Sequence, residues 1–117
     1  MKIFLDDCRE TPEGWVRCHW PEEVIELLKT GQVTDLSLDH DLGDKPAADA
    51  EERRERTGLD VLDWILEQIF HETGVIAVPP NMTIHSDNAV GIQNMRRTIA
   101  SIWRRHADNM DPGPHPW

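Results

Sequence analysis

Three short apolar runs in this sequence each end in side chains that can bind a cation or move a proton. The polar clusters that follow these runs are Asp6-Asp7, Asp39-His40-Asp41 and His85-Ser86. If the three runs are parallel strands, the clusters lie together at one edge of one sheet. That edge, outside the carboxyl ends of the strands, is where open α/β folds place their ligand sites. The pattern therefore predicts a site that holds a cation and a phosphate.

The acidic members of these clusters suit a hard divalent cation. Carboxylates held close together repel, and each raises the pKa of its neighbour. A bound Mg²⁺ or Mn²⁺ removes this repulsion, since both prefer oxygen ligands, and Mg²⁺ commonly takes one or two carboxylates together with a substrate phosphate. We therefore predict that Asp6, Asp7 and Asp39 are the metal ligands. The alternative is that the first two cap a loop and pair with Arg9 or Arg17.

The histidines of the clusters could transfer protons at a phosphorus centre. A histidine titrates near neutral pH, so His40 and His85 on neighbouring strand ends could act as acid and base on opposite sides of the phosphorus. Ser86, Asn88 and the free N–H groups of a following helix could hold the phosphate together with Arg9. The predicted catalytic residues are thus the two histidines and the serine, although each could also be an ordinary edge residue or helix cap.

A zinc site is the alternative use of the sulfur and imidazole ligands. The residues concerned are Cys8, Cys18, His19 and His40. The two cysteines are separated by nine residues and lack the closely spaced pair of structural zinc sites. Two cysteines also make no disulfide framework.

Four strands and three helices are predicted to position the clusters. The strands are expected at residues 2–5, 15–19, 35–39 and 82–85, and the helices begin at Pro21, after Thr57 and after Ser86–Asn88. This alternation predicts an α/β fold with a mostly parallel sheet. Right-handed crossovers would place helices on both faces and make a three-layer sandwich. The connection from the first to the second strand is too short for a helix.

Apolar residues at helical spacing identify the buried stripes of the second and third helices. These residues are Leu62, Ile65, Leu66, Ile69 and Phe70, followed by Ile92, Met95, Ile99, Ile102 and Trp103. We expect one α/β domain over residues 1–107 that contains a charged loop at 43–57. An irregular, proline-rich tail is expected over residues 108–117.

Charge and hydropathy restrict the partners. The chain of 117 residues has 22 acidic and 12 basic side chains and a formal net charge of -10. Such a balance argues against sequence-independent binding to duplex nucleic acid or to anionic membranes. The sequence has no apolar run of membrane-spanning length, and its first residues predict no secretory signal. We expect a cytoplasmic protein, whose oligomeric state the sequence does not indicate.

The order of these motifs resembles the response-regulator receiver domain over residues 2–106. The matching segments are Phe4-Leu5-Asp6-Asp7, Leu36-Ser37-Leu38-Asp39, Gly58-Leu59-Asp60-Val61-Leu62 and Thr83-Ile84-His85-Ser86. The resemblance implies that the acidic pair and Asp39 bind Mg²⁺, that Asp39 corresponds to the phosphoryl acceptor, and that Ser86 is the hydroxyl ending strand four. The first receiver helix and the final strand with its phosphate-binding lysine are missing, so the sheet should have about four strands.

The histidines point to a subgroup of this family. Leu5-Asp6-Asp7-Cys8-Arg9, Leu38-Asp39-His40-Asp41-Leu42-Gly43 and His85-Ser86-Asp87-Asn88 resemble the cyclic-phosphate processing receiver domains. This resemblance implies a metal-dependent hydrolase of cyclic phosphates, with a small phosphoester or an RNA end as its partner. The alternatives are a signalling module phosphorylated at Asp39 and a module that binds a nucleotide or a protein without catalysis.

Overall fold

A computed structural model describes residues 1–42 and 57–110 of the chain. Its elements in chain order are β1 (Lys2–Leu5), β2 (Val16–Cys18), α1 (Pro21–Leu28), β3 (Asp35–Leu38), α2 (Gly58–Phe70), β4 (Asn81–Ile84) and α3 (Ala89–Met110). Each predicted strand and helix is present, with small shifts at the ends. The predicted charged loop lies outside the described residues, apart from Thr57. Helix α3 continues three residues into the segment predicted as an irregular tail, and the rest of that segment is outside the described residues.

All strand pairs in the sheet are parallel. The strand order is β2-β1-β3-β4, and Leu5 pairs with Leu38, which pairs with Ile84. The ladder continues one residue further, because the Asp39 amide donates to the Leu5 carbonyl at 3.0 Å and the His85 amide donates to the Leu38 carbonyl at 2.9 Å. The polar clusters therefore share one edge, as the sequence predicted.

The three helices form a single layer. Helix α1 packs on α2, and α2 packs on α3. Together with the apolar side of the sheet they enclose one core, which includes Ile3, Leu5, Leu36, Leu38, Val24, Val61, Leu62, Ile65, Met95 and Ile102. The receiver-like α/β class is confirmed, but the prediction of helices on both faces is wrong for the part of the chain that is described.

Strand order explains the single layer. The connections from β2 to β3 and from β3 to β4 step across the sheet in the same direction. Right-handed crossovers that step in one direction place their helices on one face. Only the connection from β1 to β2 steps the other way, and it contains no helix. The fold therefore has two layers over residues 1–42 and 57–110.

The opposite face of the sheet, which we call the open face, is mostly polar. Side chains alternate between the two faces of a strand, and the open face presents Lys2, Phe4, Arg17, Asp35, Ser37, Asn81 and Thr83. Phe4 alone of these is buried, and the others are exposed or half-buried. No described helix covers this face.

Local sequence signals fix the helix starts. Pro21 is the first residue of α1, a position where its missing N–H costs nothing. Thr57 precedes α2, and its amide donates to the Asp60 carboxylate at 3.2 Å, as in a capping box. The predicted stripes are too wide, because Phe70 is 54% and Trp103 39% exposed. None of the described helices combines the length and apolar composition of a membrane span.

Candidate functional site

Asp6 is the buried anchor of the sheet edge. Its side chain is fully buried, and its Oδ1 accepts hydrogen bonds from the amides of Cys8 and Arg9, both at 2.8 Å. Its Oδ2 lies 2.9 Å from Nε2 of His85. Burial acts to raise the pKa of Asp6, but the two amides and the imidazole outweigh it and hold the pKa below the ordinary value. This carboxylate is therefore ionised at neutral pH.

His85 is held at both ring nitrogens. Its Nε2 faces Asp6, its Nδ1 lies 2.7 Å from the Ser37 hydroxyl, and its ring stacks on Phe4 at a centroid distance of 4.2 Å. An ionised carboxylate can only accept a hydrogen bond, so Nε2 of the neutral ring carries the proton and the hydroxyl donates to Nδ1. The ring is fixed in place, and neither nitrogen faces an open substrate position.

Asp39 completes a group of three possible metal ligands. The side chain is buried, with 8% of the residue exposed. Burial and the neighbouring Asp6 carboxylate raise the pKa of Asp39. One ligand atom each from Asp6, Asp39 and His85 lies within 4.8 Å of the others. We call this group the carboxylate–histidine cluster.

The donor set of this cluster fits a divalent cation. Two buried carboxylates repel one another, and a cation between them would remove that repulsion. His85 could bind through Nε2 after moving its proton to Nδ1, since the Ser37 hydroxyl can accept as well as donate. The Ser37 hydroxyl can therefore orient the His85 imidazole in either tautomer.

Asp7 lies in a second group of possible ligands. Asp6, Asp7 and Cys8 also bring ligand atoms within 4.8 Å of one another. The predicted metal trio is therefore divided between two groups that share Asp6. The charge of Asp7 raises the pKa of the exposed Cys8 thiol, which favours its protonated form. Cys18, His19 and His40 belong to no such group within the described residues.

His40 has a different environment from His85. Its Nδ1 lies 2.8 Å from the Asp41 carboxylate, to which Asn88 Nδ2 also donates at 3.3 Å. The hydrogen bond with His40 is the main reason that the pKa of Asp41 falls below its ordinary value. Because the carboxylate accepts, Nδ1 carries a proton, and Nε2 is the nitrogen that can accept one. This Asp–His pair has the arrangement of an oriented general base.

Two glycines bring helices close to the edge, and the sequence analysis gave neither of them a role in the site. A Cβ at Gly91 of α3 would lie 2.5 Å from Cγ of His40, and a Cβ at Gly58 of α2 would overlap the Asp39 carbonyl oxygen. Only glycine permits these approaches without a shift of the ring or the backbone. One sequence signal could have identified these two glycines: each lies in the first turn of a helix that follows a predicted site.

Asn88 caps the start of α3, and Ser86 holds the turn before it. The Ser86 hydroxyl accepts from the Asn88 amide at 3.1 Å, and Asn88 Oδ1 accepts from the Gly91 amide at 2.8 Å. Arg9 reaches across the site mouth, with Nη2 3.1 Å from Asp87 Oδ2 and Nε 3.8 Å from an oxygen of Asp6. These predicted phosphate-binding residues therefore lie at the same edge as the carboxylate–histidine cluster.

The fold and this edge define a receiver-like domain, with an acidic pair after β1 and an aspartate after β3. The chain belongs to the cyclic-phosphate processing receiver domain family, whose family model matches residues 1–101. The match includes all four strands and more than half of α3. No curated protein and no solved structure matches the chain.

Proposed function

We propose that this protein is a metal-dependent phosphodiesterase that hydrolyses a cyclic phosphate to a monoester. The observation that carries this proposal is the arrangement of two kinds of group at one sheet edge. The carboxylate–histidine cluster offers two carboxylates and an imidazole within 4.8 Å, and His40 is separately oriented by Asp41. The family description is consistent with a cyclic phosphate as the substrate.

The carboxylate–histidine cluster would hold Mg²⁺ or Mn²⁺ through Asp6, Asp39 and His85. Asp7 belongs to the second group of possible ligands, which shares Asp6, and could provide a further oxygen ligand. A bound cation would polarise the phosphoryl oxygens and neutralise developing negative charge. The role of His85 is then to bind and position, because Asp6 and Ser37 engage both of its ring nitrogens. This differs from the predicted pair of acid and base histidines.

His40 is the proposed general base. Its Nε2 would accept a proton from water as the water oxygen bonds to phosphorus and one ester P–O bond of the ring breaks. The His40 imidazolium then returns this proton, through solvent, to the leaving oxygen, so one water is consumed, the histidine is neutral again and a phosphomonoester forms. Asp41 would hold the ring in the required tautomer and stabilise the imidazolium.

The phosphate would contact Arg9 and the first turn of α3. Arg9 already lies beside an oxygen of Asp6 at the mouth of the site, and its guanidinium can contact two phosphate oxygens at once. The start of α3 adds a partial positive charge, although Asn88 already occupies one of its amides.

Phosphorus NMR of the metal-loaded protein with a substrate panel tests this proposal. The panel contains 2′,3′- and 3′,5′-cyclic nucleotides and an RNA oligonucleotide with a 2′,3′-cyclic end. We expect one cyclic signal to become a monoester signal, and Asp39→Asn to slow this by at least about 100-fold. Asp35→Asn is the matched control, because it removes a carboxylate from the opposite end of the same strand.

Two outcomes would overturn the proposal. One is an unchanged panel under conditions where metal binding is verified. The other is equal conversion by the wild type and Asp39→Asn. A stable phosphoryl adduct on Asp39 after treatment with a small phosphodonor, without conversion of any cyclic phosphate, would favour the signalling alternative.

A further inference from the structure

A row of rings on the open face leads away from the proposed active site. His85 stacks on Phe4 with an interplanar angle of 1°. On the β2 side, Trp15 meets Phe4 edge to face at a centroid distance of 6.5 Å. Phe4 is buried between these neighbours, whereas Trp15 is partly exposed. The indole is therefore the ring of this row that remains accessible to a ligand.

Two cations accompany the row. Lys2 Nζ lies 5.7 Å from the centre of the Trp15 ring. Arg17 pairs with Phe4 in the sheet register, is exposed, and donates from Nε to the Asp6 carbonyl at 3.2 Å. The chain has 12 basic against 22 acidic side chains, so two cations beside an aromatic ring are a local departure from its acidic character.

The remaining side chains of the open face are unsuited to covering by a helix or a second sheet. Such layers bury apolar side chains against one another, but this face presents Asp35, Ser37, Asn81 and Thr83. Asp35 accepts hydrogen bonds from Thr34 at 2.8 Å and Asn81 at 3.2 Å, so its carboxylate is held by its neighbours on the same face. A polar sheet with an aromatic ring and flanking cations instead suits single-stranded nucleic acid, which stacks its bases on such rings.

We infer that the open face binds the nucleotides of a single-stranded RNA that ends in the cyclic phosphate. This inference rests on the proposed function and extends it, because it selects a polynucleotide end over a free cyclic nucleotide. Trp15 stacks a base upstream of the cleaved phosphate, and Lys2 and Arg17 contact the backbone phosphates. The net charge of -10 restricts this contact to a few nucleotides anchored at the end.

The test compares kcat/KM for a 2′,3′-cyclic mononucleotide and for a six-nucleotide RNA with the same cyclic end. We expect the wild type to prefer the oligonucleotide by about tenfold, since stacking of one base on an aromatic side chain has about that effect. Trp15→Ala should remove most of the preference by raising KM for the oligonucleotide, while kcat and the mononucleotide kinetics stay unchanged. Trp103→Ala is the matched control, because this partly exposed tryptophan is on α3.

Lys2→Gln provides a second variant, because Lys2 is exposed and its replacement leaves the core intact. It should reduce the preference for the oligonucleotide by about threefold, as expected for one lost cation–π and phosphate contact. Circular dichroism verifies that each variant is folded. If Trp15→Ala does not fold, the wild-type preference for the oligonucleotide and its reduction in Lys2→Gln decide the question.

The outcomes separate this inference from the proposed function. Equal kcat/KM for both substrates, unaffected by Lys2→Gln and Trp15→Ala, would leave the hydrolase intact and overturn the RNA surface. Absence of turnover with either substrate would overturn both. A dimer in solution that Trp15→Ala converts to a monomer would show that a second copy covers the face, and would also contradict the inference.

Discussion

Two histidines at the same sheet edge differ in what their ring nitrogens contact. His85 has Asp6 at one nitrogen and Ser37 at the other, whereas His40 has Asp41 and the more distant Asn88 at the same nitrogen, Nδ1. Residue type alone gave both the same predicted role. The division between a positioning residue and a general base depends on neighbours up to 79 positions away, which no local pattern specifies.

Asp39 should cost stability when it is ionised in metal-free protein. Burial and Asp6 raise its folded-state pKa above the unfolded value, so above that pKa the folded state carries an unfavourable charge. As the pH falls through the folded-state pKa, the folded protein takes up a proton first, so the cost decreases and is gone below the unfolded-state pKa. We expect Asp39→Asn to raise the thermal unfolding midpoint at pH 7 in EDTA.

Thermal unfolding measured from pH 7 down to pH 4 tests this sign. The gain from Asp39→Asn should shrink as the pH falls, whereas Asp35→Asn should show no such gain, since the pKa of Asp35 is lowered by hydrogen bonds from Thr34 and Asn81. Two results would contradict a raised pKa for Asp39. One is a rise in the unfolding midpoint of Asp39→Asn that is equal at pH 7 and pH 4, and the other is a midpoint below that of the wild type at pH 7.

Asp87 should compete with substrate for Arg9. The two side chains lie 3.1 Å apart across the site mouth, and Asp87 is almost fully exposed. A phosphate must displace this carboxylate to use the guanidinium. Asp87→Asn should therefore lower KM for the cyclic phosphate by about threefold, the size expected for an exposed ion pair, with kcat unchanged. Glu10→Gln, a nearby exposed acid, is the control, and a raised KM in Asp87→Asn would oppose this role.

Helix α3 is placed so that its first turn packs against His40, two residues after the end of β3. Gly91 makes this possible, because a Cβ there would meet the His40 ring. Gly91→Ala should displace the ring from Asp41 and lower kcat by about 10- to 100-fold, within the range that general base catalysis contributes. The effect on helix stability should be small, since alanine favours helices.

Steady-state kinetics and the NMR signal of His40 measure this displacement. Asn94→Ala, a substitution at an exposed position further along α3, is the matched control and should leave both unchanged. An unaltered His40 signal and kcat in Gly91→Ala would show that the close approach has no part in catalysis.

The element boundaries were predictable because their signals are local. Pro21 and Thr57 mark helix starts through backbone rules that hold in any fold, and each apolar run before an acid became a strand. The single helical layer was not predictable from these rules alone. It follows from strand order, and the sequence pattern does not state that β2 lies on the opposite side of β1 from β3.

The single core on one side of the sheet protects Cys18 from solvent. Its thiol is buried at 3% exposure, and burial, with a smaller contribution from the nearby Glu23, raises its pKa to about 11. Cys8 is exposed at the sheet edge. Iodoacetamide at pH 8 should therefore modify Cys8 in the native protein and Cys18 only when the fold opens.

Mass spectrometry of the alkylated protein over a urea series checks this order. Modification of Cys18 should follow the unfolding transition seen by circular dichroism, because the residue belongs to the same core cluster as Leu5 and Val24. Equal rates for the two cysteines without urea would show that β2 opens independently of the rest of the core.

We propose that metal binding and proton transfer belong to different groups at one edge of the sheet. The Mg²⁺ dependence of cyclic-phosphate hydrolysis by His40→Ala and His85→Ala tests this division. We predict that His40→Ala lowers the maximal rate by about 10²- to 10⁴-fold at an unchanged Mg²⁺ midpoint, and that His85→Ala shifts this midpoint to higher concentration. A normal maximal rate for His40→Ala, or an unshifted midpoint for His85→Ala, would contradict the account.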